Sequence, residues 1–160
     1  MHVVLLSHAH TDHIGDQKLS ALGAGSCATP TLVSALPNST TAEVAAAKNA
    51  SLIMIRNMAF FVGKKVQNIL GKPTGTCAEP GGAIAAVQAA PCIAPVELGG
   101  TKFVKAAGAS AAVEIVTVHA AHDSTLTRDL LTEAQRKSLE ADNISVSLGA
   151  PSGYVIKFTN

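Results

Sequence analysis

The stretch VVLLSHAHTDHIGD, Val3 to Asp16, constrains this chain more than any other. Its first four residues, Val3 to Leu6, form a short unbroken apolar run, the pattern of a strand buried on both faces. Directly behind it His8, His10, Asp12 and His13 place four ionisable side chains within six positions, and three of the six histidines of the chain are among them. A buried strand that opens into such a loop sets reactive groups at the end of a rigid element, where loops carry chemistry. Four specified positions of this kind arise by chance with a probability on the order of 10⁻⁴ at average residue usage.

The rest of the chain supplies a scaffold. At 160 residues it is long enough for one domain with a real core. It is 48% hydrophobic but only 3% aromatic, so the core is built from small aliphatic side chains. PTLVSAL around Leu32 reads as a second short strand. TTAEVAAAKNA reads as an alanine-rich helix that Thr40 or Thr41 can cap. SLIMI, Ser51 to Ile55, is another buried strand, so Leu32 to Ile55 forms a βαβ unit.

From Met58 to Leu70, Met58, Phe61 (or Val62), Val66 and Ile69 recur at helical spacing, a stripe for core packing. Lys72 to Pro95 reads as irregular, with Pro73, Pro80, Pro91 and Pro95. TKFVKA and AVEIVTVHA alternate like paired strands. Thr132 and Gln135 form a capping box ahead of a helix, and GYVIKFTN alternates like a further strand. The fold class is α+β.

Several functions are disfavoured. The net charge is +1 and the 12 lysines and arginines are scattered without a basic stripe, which argues against nucleic acid as the main partner. No apolar stretch reaches the roughly 18 to 20 residues of a membrane span. Met1 and His2 lead straight into a strand with no signal peptide. The chain is therefore expected to be cut from something longer, and its compartment stays open. The three cysteines, Cys27, Cys77 and Cys92, form no CxxC pair. Cys77 and Cys92 bracket a Pro- and Gly-rich segment of the kind a disulfide closes in an oxidising compartment, leaving Cys27 free. Three unrelated buried thiols are the equal alternative.

Imidazole is the commonest nitrogen ligand for zinc, and carboxylate its usual companion where the metal stays Lewis-acidic. Residues two apart in a loop, His8 and His10, can converge on one ion while Asp12 and His13 point toward a second. SHAHTDHIGD resembles the HxHxDH signature of the metallo-β-lactamase superfamily at all four ligand positions. That resemblance implies an αββα sandwich in which His8, His10 and a later histidine bind one metal and Asp12 and His13 the other. VEIVTVHAAHDS resembles the segment carrying the later ligand, and His122, followed by Asp-Ser, fits it best. His119 is the local alternative, or a strand-end group supporting the ligands.

The activity implied is hydrolysis of a small-molecule substrate. Zinc-bound hydroxide (one or two ions, with manganese or iron as alternatives) attacks an ester, lactone or amide-type bond. Asp12 orients the site and relays a proton to the leaving group. The segment looks most like metal-dependent hydrolases related to sugar-phosphate lactonases. A phosphodiesterase or nuclease of the same superfamily, and a metal-binding but catalytically incomplete fragment, are the alternatives. The family has strands ahead of the signature, and a bridging Asp and final His beyond a strand like GYVIKFTN, which this chain lacks. The expectation is thus a single partial domain over residues 1–160, missing the first strands and the C-terminal half. A second chain or missing segment would complete its metal site.

Overall fold

The computed structural model describes residues 1–14, 41–126 and 131–158, with the side chains of residues 11 and 12 outside that description. In chain order the elements are β1 (Val3–Leu5), α1 (Thr11–Ile14), α2 (Thr41–Lys48), β2 (Ser51–Ile55), α3 (Arg56–Leu70), β3 (Ile84–Ala85), β4 (Cys92–Val96), β5 (Thr101–Lys105), β6 (Val113–His119), α4 (Glu133–Ala141) and β7 (Ser152–Phe158). They form a mixed α+β fold with two sheets, ordered β1-β2-β4 and β3-β5-β6-β7. The expected strand around Leu32, Cys27 and the start of the βαβ unit lie outside the described residues.

The apolar run SLIMI explains the layering. All five of its residues are buried, because β2 is the central strand, parallel to both β1 and β4, and is covered on both faces. Side chains alternate across a strand. Leu52 and Met54 enter one cluster with Ala42 and Ala45 of α2 and Met58, Ala59, Val62 and Val66 of α3. Ile53 enters the other, with Ala94 and Val96 of β4 and Ile84, Val104 and Ile115 of the second sheet. The order of layers is helices, parallel sheet, second sheet. Each large side chain buried this way contributes roughly 1.5–3 kcal/mol. β1 also packs on both faces, Val4 against the helix-side cluster and Val3 and Leu5 against the other. It is only half-buried, because it has one strand neighbour among the described residues.

Helix α3 buries Met58, Ala59, Val62 and Val66, and Phe61 packs partly buried against the same cluster. Ile69 sits at the expected angle but is 46% exposed. In the last turn Leu70 packs against the core instead. The helix ends at Gly71, whose φ of 67° lets its N–H reach the Gln67 carbonyl, a left-handed cap that favours glycine.

Residues 72–95 depart from the irregular reading. They contain β3 and most of β4, and Thr76 bridges Ile93 in parallel. The prolines hid this. The Ile93 N–H donates outward to the Gly75 carbonyl (2.9 Å), and Pro95, two residues on, faces the same way. No ladder bond to β2 is lost, as an edge strand permits. Cys77 and Cys92 form a disulfide, which resolves the open pairing, and both are buried.

The second sheet pairs β5 with β6 and β6 with β7, both antiparallel. The Thr132–Gln135 capping box opens α4 as the pattern predicts, and no α4 residue is buried. Among the described residues no helix is long and apolar enough to cross a membrane.

Candidate metal centre

Four histidines from two distant loops meet at the edge where β1 runs out and β6 ends. The first three are set by a tight turn. Leu6, Ala9 and Ile14 are buried and anchor it. The His10 carbonyl accepts from the N–H groups of His13 and Ile14, each at 3.0 Å, which opens α1. With the apolar residues turned inward, His8, His10 and His13 fall side by side. The His8 ring centroid lies 4.5 Å from that of His10 and 4.1 Å from that of His13.

His122 arrives from the loop after β6. That loop is held at both ends, by the Ala120 N–H donating to Pro151 (3.1 Å) and the Leu126 N–H donating to Val146 (2.7 Å). Between them the Asp123 carboxylate accepts from the backbone N–H and the hydroxyl of Thr125, at 2.9 and 2.7 Å. These bonds, the hydroxyl's first, hold the Asp123 carboxyl below its ordinary range, with the nearby His10 adding to the effect. His122 thereby comes to 4.5 Å from His8 and 5.4 Å from His10, ring to ring.

The closest set is His8, His13 and His122, whose ligand nitrogens all lie within 4.8 Å of one another. Where the resemblance separates His8, His10 and His122 from Asp12 and His13, the structure draws His13 in with His8 and His122. His10 stands beside them, its Nδ1 3.2 Å from Nε2 of His8. The side chain of Asp12 lies outside the described residues. His119, the local alternative, occupies the last position of β6 opposite Ser152 and makes no ring contact with the cluster.

Two of the rings carry hydrogen-bond partners of the kind that orient a histidine ligand. A histidine ligand offers one nitrogen to the ion and satisfies the other with a hydrogen bond that fixes its orientation. His122 donates from Nδ1 to the Asp123 carbonyl at 2.7 Å, which leaves Nε2 as the nitrogen it could offer to an ion. Nδ1 of His8 lies 3.0 Å from Ser7 Oγ, and Nε2 of His8 faces His10. Nitrogens bound about 2.0–2.1 Å from one tetrahedral zinc ion sit roughly 3.3–3.4 Å apart, so small side-chain rotations would close the trio around an ion. His8 is buried while His13 and His122 are exposed, giving the cluster a closed floor and an open mouth.

No family model, curated protein or solved structure matches the chain. What it can do rests on this geometry and on the groups present: clustered imidazoles, a carboxylate at Asp123 engaged by Thr125, and access from solvent. Sequence reasoning did not anticipate Ser7, Ser152 and Tyr154, which surround the peptide ahead of His8. Serines and one tyrosine in separate segments carry no spacing signal that could have found them.

Proposed function

We propose that the chain is a metal-dependent hydrolase of the αββα metallo-β-lactamase kind, with its metal centre built from His8, His10, His13 and His122 and joined by Asp12. The observation that carries this reading is the convergence of imidazoles from two loops, with the ligand nitrogens of His8, His13 and His122 within 4.8 Å of one another. Imidazoles gathered this closely repel when protonated and gain little from each other when neutral, so a shared cation is their natural partner. The facing sheets and the helices over the parallel one support the fold side of the reading.

A bound zinc, manganese or iron ion supplies Lewis acidity and lowers the pKa of water toward ~7. This chain contributes one part of the site, which a second chain or further segment would complete. His8 and His122 present Nε2, with their Nδ1 atoms held by Ser7 and by the Asp123 carbonyl. His10 and His13 flank the buried His8 on the open side. Asp12 would orient the attacking water, accept its proton and pass that proton to the leaving group as the ester, lactone or amide-type bond of a small molecule breaks.

The test is metal content followed by turnover. After equilibration with zinc and removal of excess, native mass spectrometry should find about one zinc held tightly per chain, and His8→Ala or His122→Ala should lose it. The zinc-loaded protein is then assayed on ester, lactone, amide and phosphodiester substrates. Zinc uptake unaffected by both substitutions overturns the assignment of the centre. Turnover confined to phosphodiesters would move the substrate class to the nuclease branch, and no turnover on any substrate would reduce the reading to metal binding alone.

A further inference from the structure

The peptide just ahead of the imidazoles is gripped from the opposite sheet. The Ser7 carbonyl accepts from both the N–H and the hydroxyl of Ser152, at 3.0 and 3.1 Å. The Leu6 carbonyl accepts from the Tyr154 hydroxyl at 2.6 Å, and that hydroxyl also lies 3.3 Å from the Ile53 carbonyl of β2. Ser152 and Tyr154 are alternate residues of β7 on its inward side, and Ser152 is 1% exposed. β7 thus reaches across the interface between the sheets at the point where β1 turns into the histidine loop. The Ser7 side chain, held by this grip, meets Nδ1 of His8.

We propose that Ser7, Ser152 and Tyr154 are positioning residues that aim Nε2 of His8 into the metal centre, a role that rests on the metal reading above. A histidine bound through Nε2 carries its proton on Nδ1, and that N–H needs an acceptor in a fixed place. Ser7 Oγ is such an acceptor. It keeps its place only while its own backbone is fixed, and the paired bonds from Ser152 and the bond from Tyr154 fix the two carbonyls before His8. Without Tyr154 the Leu6 carbonyl is released and the loop keeps only the Ser152 bonds to the second sheet. Without the Ser7 hydroxyl the ring can turn, and either nitrogen can face inward.

The experiment uses the full chain with zinc alone. Affinity is measured by competition with a chromophoric chelator for the wild type, Ser7→Ala, Ser7→Thr, Tyr154→Phe and Thr132→Ala. Removing an orienting partner of this sort weakens metal binding by about 10- to 100-fold, the loss expected for Ser7→Ala and Tyr154→Phe. Ser7→Thr, which keeps the hydroxyl, should restore affinity. Thr132→Ala, which weakens the remote cap of α4, should leave affinity unchanged and so separates positioning from general destabilisation.

Proton NMR of the zinc-loaded protein supplies the signature. A slowly exchanging Nδ1–H of His8 should be present in the wild type and Ser7→Thr, and absent in Ser7→Ala. Zinc bound by Ser7→Ala and Tyr154→Phe within twofold of the wild type overturns the positioning role and leaves the metal centre standing. A wild type that binds no zinc overturns both.

Discussion

The Cys77–Cys92 disulfide allows a stability effect to be calculated before it is measured. The two residues are 15 apart in sequence, and closing a loop of that size removes about 3 kcal/mol of unfolded-chain entropy in the chain-entropy model. Almost all of it should appear as lost stability on reduction, because the folded segment is secured without the sulfurs. The Cys77 N–H donates to Ile93 at 2.8 Å, the Ile93 N–H to Gly75 at 2.9 Å and the Cys92 N–H to Ala50 at 3.3 Å. Against a total of roughly 5–15 kcal/mol for a domain, this is a large share.

Urea unfolding of the oxidised and reduced protein should therefore differ by about 3 kcal/mol, with the steeper denaturant dependence in the reduced form, whose unfolded state exposes more surface. The bond sits at the starting edge of the parallel strands, where Val3, Ser51 and Cys92 are in register, and the histidine loop leaves the opposite edge. Zinc uptake should be the same in both forms. A loss on reduction below about 1 kcal/mol would refute the entropic account, and a loss of zinc binding would refute the separation of the two ends.

Other consequences can be checked separately. Met54, fully buried between β2 and the helices, should cost about 2–5 kcal/mol as Met54→Ala, read as a fall in the denaturation midpoint. Gly149 has a φ of 101°, and a Cβ there would lie 3.0 Å from Ile55 Cγ2. Gly149→Ala should cost about 1–3 kcal/mol by the same measurement. Burial holds the Tyr154 phenol above its ordinary value of 10.0, opposed in part by Ser152. The folded chain then keeps that proton longer than the unfolded one, so this contribution is present in full below pH 10 and is lost as pH rises through the raised value. Tyr154 is the one tyrosine of the chain, so ultraviolet titration reports it directly. In stability curves the decline on that alkaline limb should be shallower in Tyr154→Phe.

Legibility in the sequence followed locality. SLIMI and the β5 and β6 strands carried their periods in consecutive residues, and the Thr132–Gln135 cap is a four-residue device, so each could be read directly. Ile69 misled because angular position on a helix does not say where the sheet beneath it stops. β4 was hidden by Pro91 and Pro95, since a proline tolerated at an outward-facing edge position looks the same in sequence as one that breaks a strand. In the candidate site, the crowding of His8, His10 and His13 was visible for the same local reason. That His13 lies as near His8 and His122 as it does depends on the turn at His10. The grip of Ser152 and Tyr154 depends on two sheets meeting. Neither has a local signature.

That grip also has a kinetic consequence. Tyr154 and Leu6 are 148 positions apart, and Ser152 and Ser7 are 145 apart. Loop closure over such spans is entropically expensive, and folds that depend on distant pairings form slowly. The α3 helix and the β5–β6 hairpin need only neighbours and can form early. The histidine loop is held to the helix-side core by Leu6, Ala9 and Ile14, but its bonds from Ser152 and Tyr154 form only when β7 has paired with β6 and docked on the first sheet. During refolding, helical and hairpin signals should therefore return before the imidazoles assemble, and the candidate centre matures with the last long-range contact of the fold.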